Sequence, residues 1–113
     1  MKTILLDENL PVPLKNDLVG KFEVITINDK GWQSKQNGEL LQSIDDEGID
    51  YLMTADRNLE YQQNLKLFNA RLIVLLTLDN RYETIKDKMA LIMNALSVIE
   101  ATNDKVIKID LRG

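Results

Sequence analysis

Leu72-Ile73-Val74-Leu75-Leu76 is an unbroken apolar run. A strand with one face in water alternates apolar and polar side chains. A continuous run instead suits a strand buried on both faces, as in a parallel sheet covered above and below. Ile4-Leu5-Leu6 is a shorter run of the same kind, and Glu23–Ile27, rich in β-branched residues, reads as a second strand. Tyr51–Thr54 reads as the third strand and the Leu72–Leu76 run as the fourth. Val106–Leu111, which alternates, closes the sheet as an edge strand.

Helical signals separate these runs. Pro11 and Pro13 fit the opening turn of a helix to about Val19, stopped by Gly20. Asn28–Asn37, with Gly31, Trp32 and Ser34, reads as a loop. A helix follows from about Gly38 to Glu47, with Leu40, Leu41 and Ile44 as its apolar stripe and Gly48 as its stop. Asn58–Leu67 is a polar helix or turn. Asn80-Arg81-Tyr82-Glu83 has capping-box spacing and opens the longest helix, where Ile85, Met89, Ile92, Leu96 and Ile99 recur every three or four residues. The alternation predicts an α/β fold with a mainly parallel sheet in a single domain, residues 1–113, with no internal repeat or linker.

The chain has no His and no Cys. Disulfides, Ser-His-Asp and Cys-His nucleophile pairs, and zinc sites of the usual N/S type are therefore excluded within it. Oxygen-only chemistry remains, and it suits Mg²⁺, Mn²⁺ or Ca²⁺. Net charge is −4, unevenly spread: residues 1–56 hold five Lys/Arg against eleven Asp/Glu, residues 57–113 nine against seven. No strongly basic nucleic-acid footprint exists, so action on RNA would rest on a local basic patch and on bridging metal ions. A carboxylate at Asp7 comes too early for a secretory signal, and no apolar stretch reaches the ~20 residues of a membrane span. A cytoplasmic location, with no membrane partner, is the expectation.

Two apolar runs end in acid. Ile4–Leu6 leads into Asp7-Glu8-Asn9, and Tyr51–Thr54 leads into Ala55-Asp56. On neighbouring parallel strands these carboxylates would meet at the C-terminal edge of the sheet, where open α/β folds bind ligands. Asp7 could instead be a turn residue ahead of Pro11, and Asp56 a helix cap, although Asn58 could fill that role. Glu8 should point away from Asp7, and Asn9 either assists the site or shapes the turn. Glu39 sits in the first turn of its helix, where the dipole alone explains a negative side chain. Asp45-Asp46-Glu47 reads as a solvated face and Asp79 as structural. Trp32 reads as a lid packed on the fold's edge rather than a base-stacking residue.

Taken together, Leu5-Leu6-Asp7-Glu8-Asn9-Leu10-Pro11, Gly31-Trp32, Asn37-Gly38-Glu39-Leu40-Leu41, and Thr54-Ala55-Asp56-Arg57-Asn58-Leu59 with Gln62-Gln63-Asn64-Leu65 resemble the short PIN-like proteins. These are relatives of the PIN-domain nucleases found as toxins in bacterial toxin–antitoxin pairs. The resemblance spans nearly the whole chain. It implies a three-layer fold with a sheet of about five strands flanked by helices and an acidic pocket at its C-terminal edge. It also implies a metal-dependent endoribonuclease using Mg²⁺ or Mn²⁺. Asp7, Glu39 and Asp56 match the acidic positions and are the expected catalytic residues and metal ligands. Many relatives carry a further Asp two residues after the position of Asp56; this chain has Asn58, an uncharged ligand in the fourth place. RNA as substrate, an antitoxin protein and a second copy of the chain are the implied partners. Arg57, beside Asp56, is read as a phosphate contact or a surface charge.

Two other readings share these residues. A phosphoacceptor receiver domain would use Asp7 and Glu8, Asp56 as acceptor, Thr77 after the fourth strand, and Lys105 or Lys108. A non-catalytic PIN-like binding module would follow from the uncharged Asn58. Strand order separates the first from the nuclease: 2-1-3-4-5 for receivers, 3-2-1-4-5 for PIN folds.

Overall fold

The computed structural model describes residues 1–18, 20, 22–62 and 64–113, and for Asn37 the backbone alone. Val19, the expected end of the first helix, and Gln63, part of the Gln-Gln-Asn segment, lie outside the described residues.

Five strands form one sheet: β1 (Lys2–Leu6), β2 (Phe22–Thr26), β3 (Tyr51–Thr54), β4 (Arg71–Leu76) and β5 (Val106–Asp110). All neighbouring pairs are parallel. Helices occupy the connections: α1 (Leu14–Asp17), α2 (Ile27–Lys30), α3 (Asn37–Asp46), α4 (Leu59–Gln62), α5 (Tyr82–Lys86) and α6 (Met89–Ser97), with 3₁₀ turns at Leu65–Leu67 and Ile99–Ala101.

Strand periodicity explains the layering. Successive side chains of β1 point to opposite faces. Ile4 and Leu6 therefore join Tyr51, Met53, Ile73 and Leu75 under α1, α5 and α6. Leu5 joins Leu52, Leu72 and Val74 against Leu40, Leu41 and Ile44 of α3. Every residue of β3 is buried. The apolar run in β4 is thus read correctly: both faces are covered, as in a three-layer α/β/α arrangement.

The strand order is β2-β1-β3-β4-β5. That is the flavodoxin-like order assigned above to receivers, and it departs from the 3-2-1-4-5 expected for a PIN fold. In both orders the chain's direction of winding switches beside β1, so a switch-point site keeps its place; here the switch falls between β1 and β3.

Four local expectations are corrected. The loop expected from Asn28 opens instead with a helical turn, α2. Thr26 caps it by accepting from the Asp29 N–H while the Asp29 carboxylate accepts from the Thr26 N–H. Gly31 ends the turn at φ 70°, a left-handed conformation that glycine adopts without a Cβ penalty. The capping box at Asn80 does not form: Arg81 is the N-cap residue, and it makes no side-chain capping bond. The Asp79 carboxylate satisfies the Arg81 N–H at 2.9 Å instead. The long helix divides at Asp87-Lys88 into α5 and α6, yet Ile85, Ile92, Leu96 and Ile99 all remain buried. Asp45, read as solvated, accepts from the N–H groups of Asn69 and Ala70 at 2.8 and 3.0 Å, anchoring the chain just before β4.

Candidate functional site

The β1/β3 pairing places Leu6 opposite Met53. One more ladder bond, from the Asp7 N–H to the Met53 carbonyl at 2.9 Å, carries Asp7 to the C-terminal edge beside Thr54. Thr54 is completely buried. A hydroxyl has one donor and two acceptor positions, and Thr54 uses all three. Its Oγ1 donates to Asp7 Oδ2 at 2.8 Å. It accepts from Asn9 Nδ2 at 3.1 Å and from the Asp56 N–H at 3.0 Å. Asn9 completes the tie, its Oδ1 accepting from the Ala55 N–H at 3.1 Å.

One hydroxyl therefore joins the Asp7 carboxylate to the backbone of Asp56, the other strand-end acid expected from sequence. Asp7 Oδ1 also accepts from the Glu8 N–H at 2.8 Å, and Asp56 Oδ1 from the Asn58 N–H at 2.9 Å. Each carboxylate oxygen has a second lone pair in hand. Both acids are half-buried, whereas Glu8 and Asn58 are exposed. Among the described residues no lysine or arginine forms an ion pair with Asp7 or Asp56, although seven other carboxylates have such partners.

Glu39 stands apart. Its side chain is 62% exposed and pairs at 3.6 Å with Lys35, four residues earlier and just outside α3. Among the described residues no three acidic side chains form a group that could hold a metal ion, so the trio Asp7, Glu39 and Asp56 is not gathered. Asn58 begins the next turn through its carbonyl, which accepts from the Gln62 N–H at 3.1 Å. Arg57 turns across the sheet edge and donates to the Thr77 carbonyl at 3.2 Å.

A cleft of about 100 Å³ opens beside Asp7, between the ends of β1 and β2, with Leu6, Leu10 and Ile27 as its apolar wall and Thr26 and Asn28 as polar groups. Trp32 is half-buried against the α3 side of the core, with the ammonium groups of Lys30 and Lys35 5.4 and 5.9 Å from its ring centre. It packs on the fold as expected.

A receiver domain would call on Thr77 and on Lys105 or Lys108. Thr77 follows β4 but donates its hydroxyl to the Asp79 carbonyl at 2.9 Å. Lys105 precedes β5, at the opposite edge of the sheet, where its ammonium bonds the carbonyls of Phe68 and Ala70. Lys108 lies inside β5 and pairs with Glu60 at 2.8 Å. At the C-terminal end of β5 the cation is Arg112. Its hydrogen bonds hold the Asp110 carboxyl down to about 2.

What sequence reasoning missed is the centrality of Thr54. The available signal was a hydroxyl residue ending a fully buried strand, since such a hydroxyl must find partners. No family model, curated protein or solved structure matches the chain.

Proposed function

We propose that the chain is a metal-dependent endoribonuclease of PIN-like type, with Asp7 and Asp56 as its principal acids. The observation that carries this reading is the pair of half-buried acids at the β1/β3 switch point, the Asp7 carboxylate bonded through the Thr54 hydroxyl to the backbone N–H of Asp56, and both acids left without cationic partners among the described residues. The donor set fits the proposed cofactor: Mg²⁺ typically takes one or two carboxylates and leaves the rest of its shell to water and substrate phosphate. When bound, Mg²⁺ or Mn²⁺ supplies an acidified water and polarises the phosphoryl oxygens. The chain's own contribution is orientation. Thr54 fixes Asp7 through a charge-assisted bond, and Asn9 holds the Ala55-Asp56 backbone against the end of β1.

Glu39 is paired with Lys35 and is not gathered with Asp7 and Asp56. An exposed ion pair of this kind is worth about 1 kcal/mol or less, so its release costs little. Asn58 adds an exposed amide oxygen without charge. RNA as the substrate and the role of toxin beside an antitoxin rest on the PIN-like resemblance.

The test is cleavage of RNA in Mg²⁺ or Mn²⁺ by the wild type, Asp7→Asn and Asp56→Asn. Removing groups that merely support metal ligands costs about 10–100-fold, so loss of a ligand should exceed that range. Unchanged cleavage in both variants removes the proposed centre. No cleavage by any folded form refutes the enzyme and leaves the binding module.

The strand order favours a second reading, the receiver domain. Against it, Lys105 precedes β5 and is bonded to the Phe68 and Ala70 carbonyls, and Lys108 lies inside β5 paired with Glu60, so neither lysine weighed for the receiver role stands at the strand's C-terminal end. Labelling of Asp56 by acetyl phosphate would establish the receiver and displace the nuclease.

A further inference from the structure

Resting on the nuclease reading, we infer that the groove beyond Asp56, between α4 and the β4–β5 pair, binds an unpaired nucleotide of the RNA by stacking its base on Tyr61. The two faces of the sheet are unequal there. On one face α6 packs over β5, with Ile109 buried. On the other, among the described residues, the helical pieces in that part of the chain are four-residue α4 and the short turn at Leu65–Leu67. Leu76 and Val106 are consequently only partly buried, and Lys108 and Asp110 are exposed. A groove of about 230 Å³ results, floored by Val74 and Leu76 and walled by Arg57, Glu60, Tyr61 and Lys108.

Tyr61 is 74% exposed, its ring in contact with the Lys108 ammonium and otherwise open to solvent. It lies five residues after Asp56, which limits their separation to about 18 Å even for an extended chain; α4 shortens it. A strand whose phosphate is held at Asp56 can therefore lay a neighbouring base in this groove. Of the cations at this end of β4 and β5, Lys108 is paired with Glu60 and Arg112 with Asp110, which leaves Arg57, in the groove wall, as the cation without an ion-pair partner among the described residues. Arg57 commits one N–H to the Thr77 carbonyl, and the Lys108 ammonium lies over the Tyr61 ring, 5.8 Å from its centre. The groove thus combines one uncommitted positive charge, Arg57, with an aromatic platform and an apolar floor. Duplex RNA, whose bases are already stacked and paired, offers this groove nothing to insert.

The experiment is fluorescence-anisotropy titration of a short labelled single-stranded oligoribonucleotide in EDTA, where no metal-dependent cleavage occurs, with the wild type, Tyr61→Phe and Tyr61→Ala. Circular dichroism checks the fold of each. Stacking on one base predicts a loss of about 5- to 150-fold in affinity for Tyr61→Ala. Tyr61→Phe keeps the ring and should bind within a few-fold of wild type, and unlabelled duplex should compete poorly. Equal affinity of Tyr61→Ala and wild type, absence of binding, or equal competition by duplex each overturns the inference. So does a protein partner whose binding occludes Tyr61 while single-stranded RNA binding is unaffected. Because cleavage is not read here, failure of the nuclease reading with Tyr61-dependent binding intact remains distinguishable from failure of this inference.

Discussion

Replacing Thr54 by Val removes one oxygen at nearly constant volume from a completely buried position. Three bonds go with it. The bond to Asp7 involves a charged acceptor and is worth about 1.5–3 kcal/mol; those from Asn9 and the Asp56 N–H are worth about 0.5–1.5 kcal/mol each. A simple sum of about 2.5–6 kcal/mol overstates the effect, because Asp7, Asn9 and Asp56 are only half-buried and can recruit water. The added methyl group also recovers part of the loss through apolar burial. The expected destabilisation is therefore about 2–3 kcal/mol. In urea this would appear as a lower midpoint at unchanged slope. On heating it would appear as a fall in Tm of roughly 8–12 °C for a domain of this size. Thr77→Val is the internal comparison, since that hydroxyl donates a single bond to a neutral carbonyl and should cost about 1 kcal/mol. A loss at Thr54 of less than about 0.5 kcal/mol, or no greater than at Thr77, would refute the account of Thr54 as the tie between β1 and β3.

Two pH dependences follow from other contacts. The Lys15 ammonium and the Thr26 N–H hold the Asp29 carboxyl below its ordinary 3.8. A depressed carboxyl contributes its stability above the unfolded value and loses it as pH falls below 3.8, so Asp29→Asn should flatten that part of an acid-unfolding profile; an unaltered profile would exclude Asp29. Burial, reinforced by the 2.7 Å bond to Glu100, pushes the Tyr51 hydroxyl up to about 12. Its neutral form is the one stabilised, so its contribution is complete below pH 10 and is lost as pH rises towards 12. Tyr51→Phe should lack this alkaline loss in denaturant titrations, and a loss identical to wild type would place its origin elsewhere.

The strands were readable because their apolar runs answer to burial on two faces. Tyr51–Thr54 has the bounds read from sequence, and the β4 run differs only by Arg71. Periodicity was blind to the break at Asp87-Lys88, since the spacing that keeps Ile85, Ile92, Leu96 and Ile99 inward is satisfied by one helix or two. The capping residue was misplaced because Asn80 and Asp79 are adjacent and chemically alike, and only the fold decides which side chain meets the Arg81 N–H. Strand order is a long-range choice that no local pattern encodes, and here it differs from the order the PIN-like resemblance implied. At the site, Asp7 and Asp56 were legible from their positions after buried strands. The Lys35 partner of Glu39 depends on side-chain rotamers that sequence does not fix.

The position of β1 and β3 within the sheet has a further consequence. Neither is an edge: β2 shields β1 on one side, and β4 and β5 shield β3 on the other. Fraying of a rim strand, the cheapest opening available to an open sheet, therefore leaves the Asp7–Thr54–Asp56 tie closed. Geometry at this centre is lost only when the two inner strands separate, which dismantles both hydrophobic layers together. The acidic centre belongs to the most persistent part of the molecule, whereas the Tyr61 groove belongs to a part able to breathe.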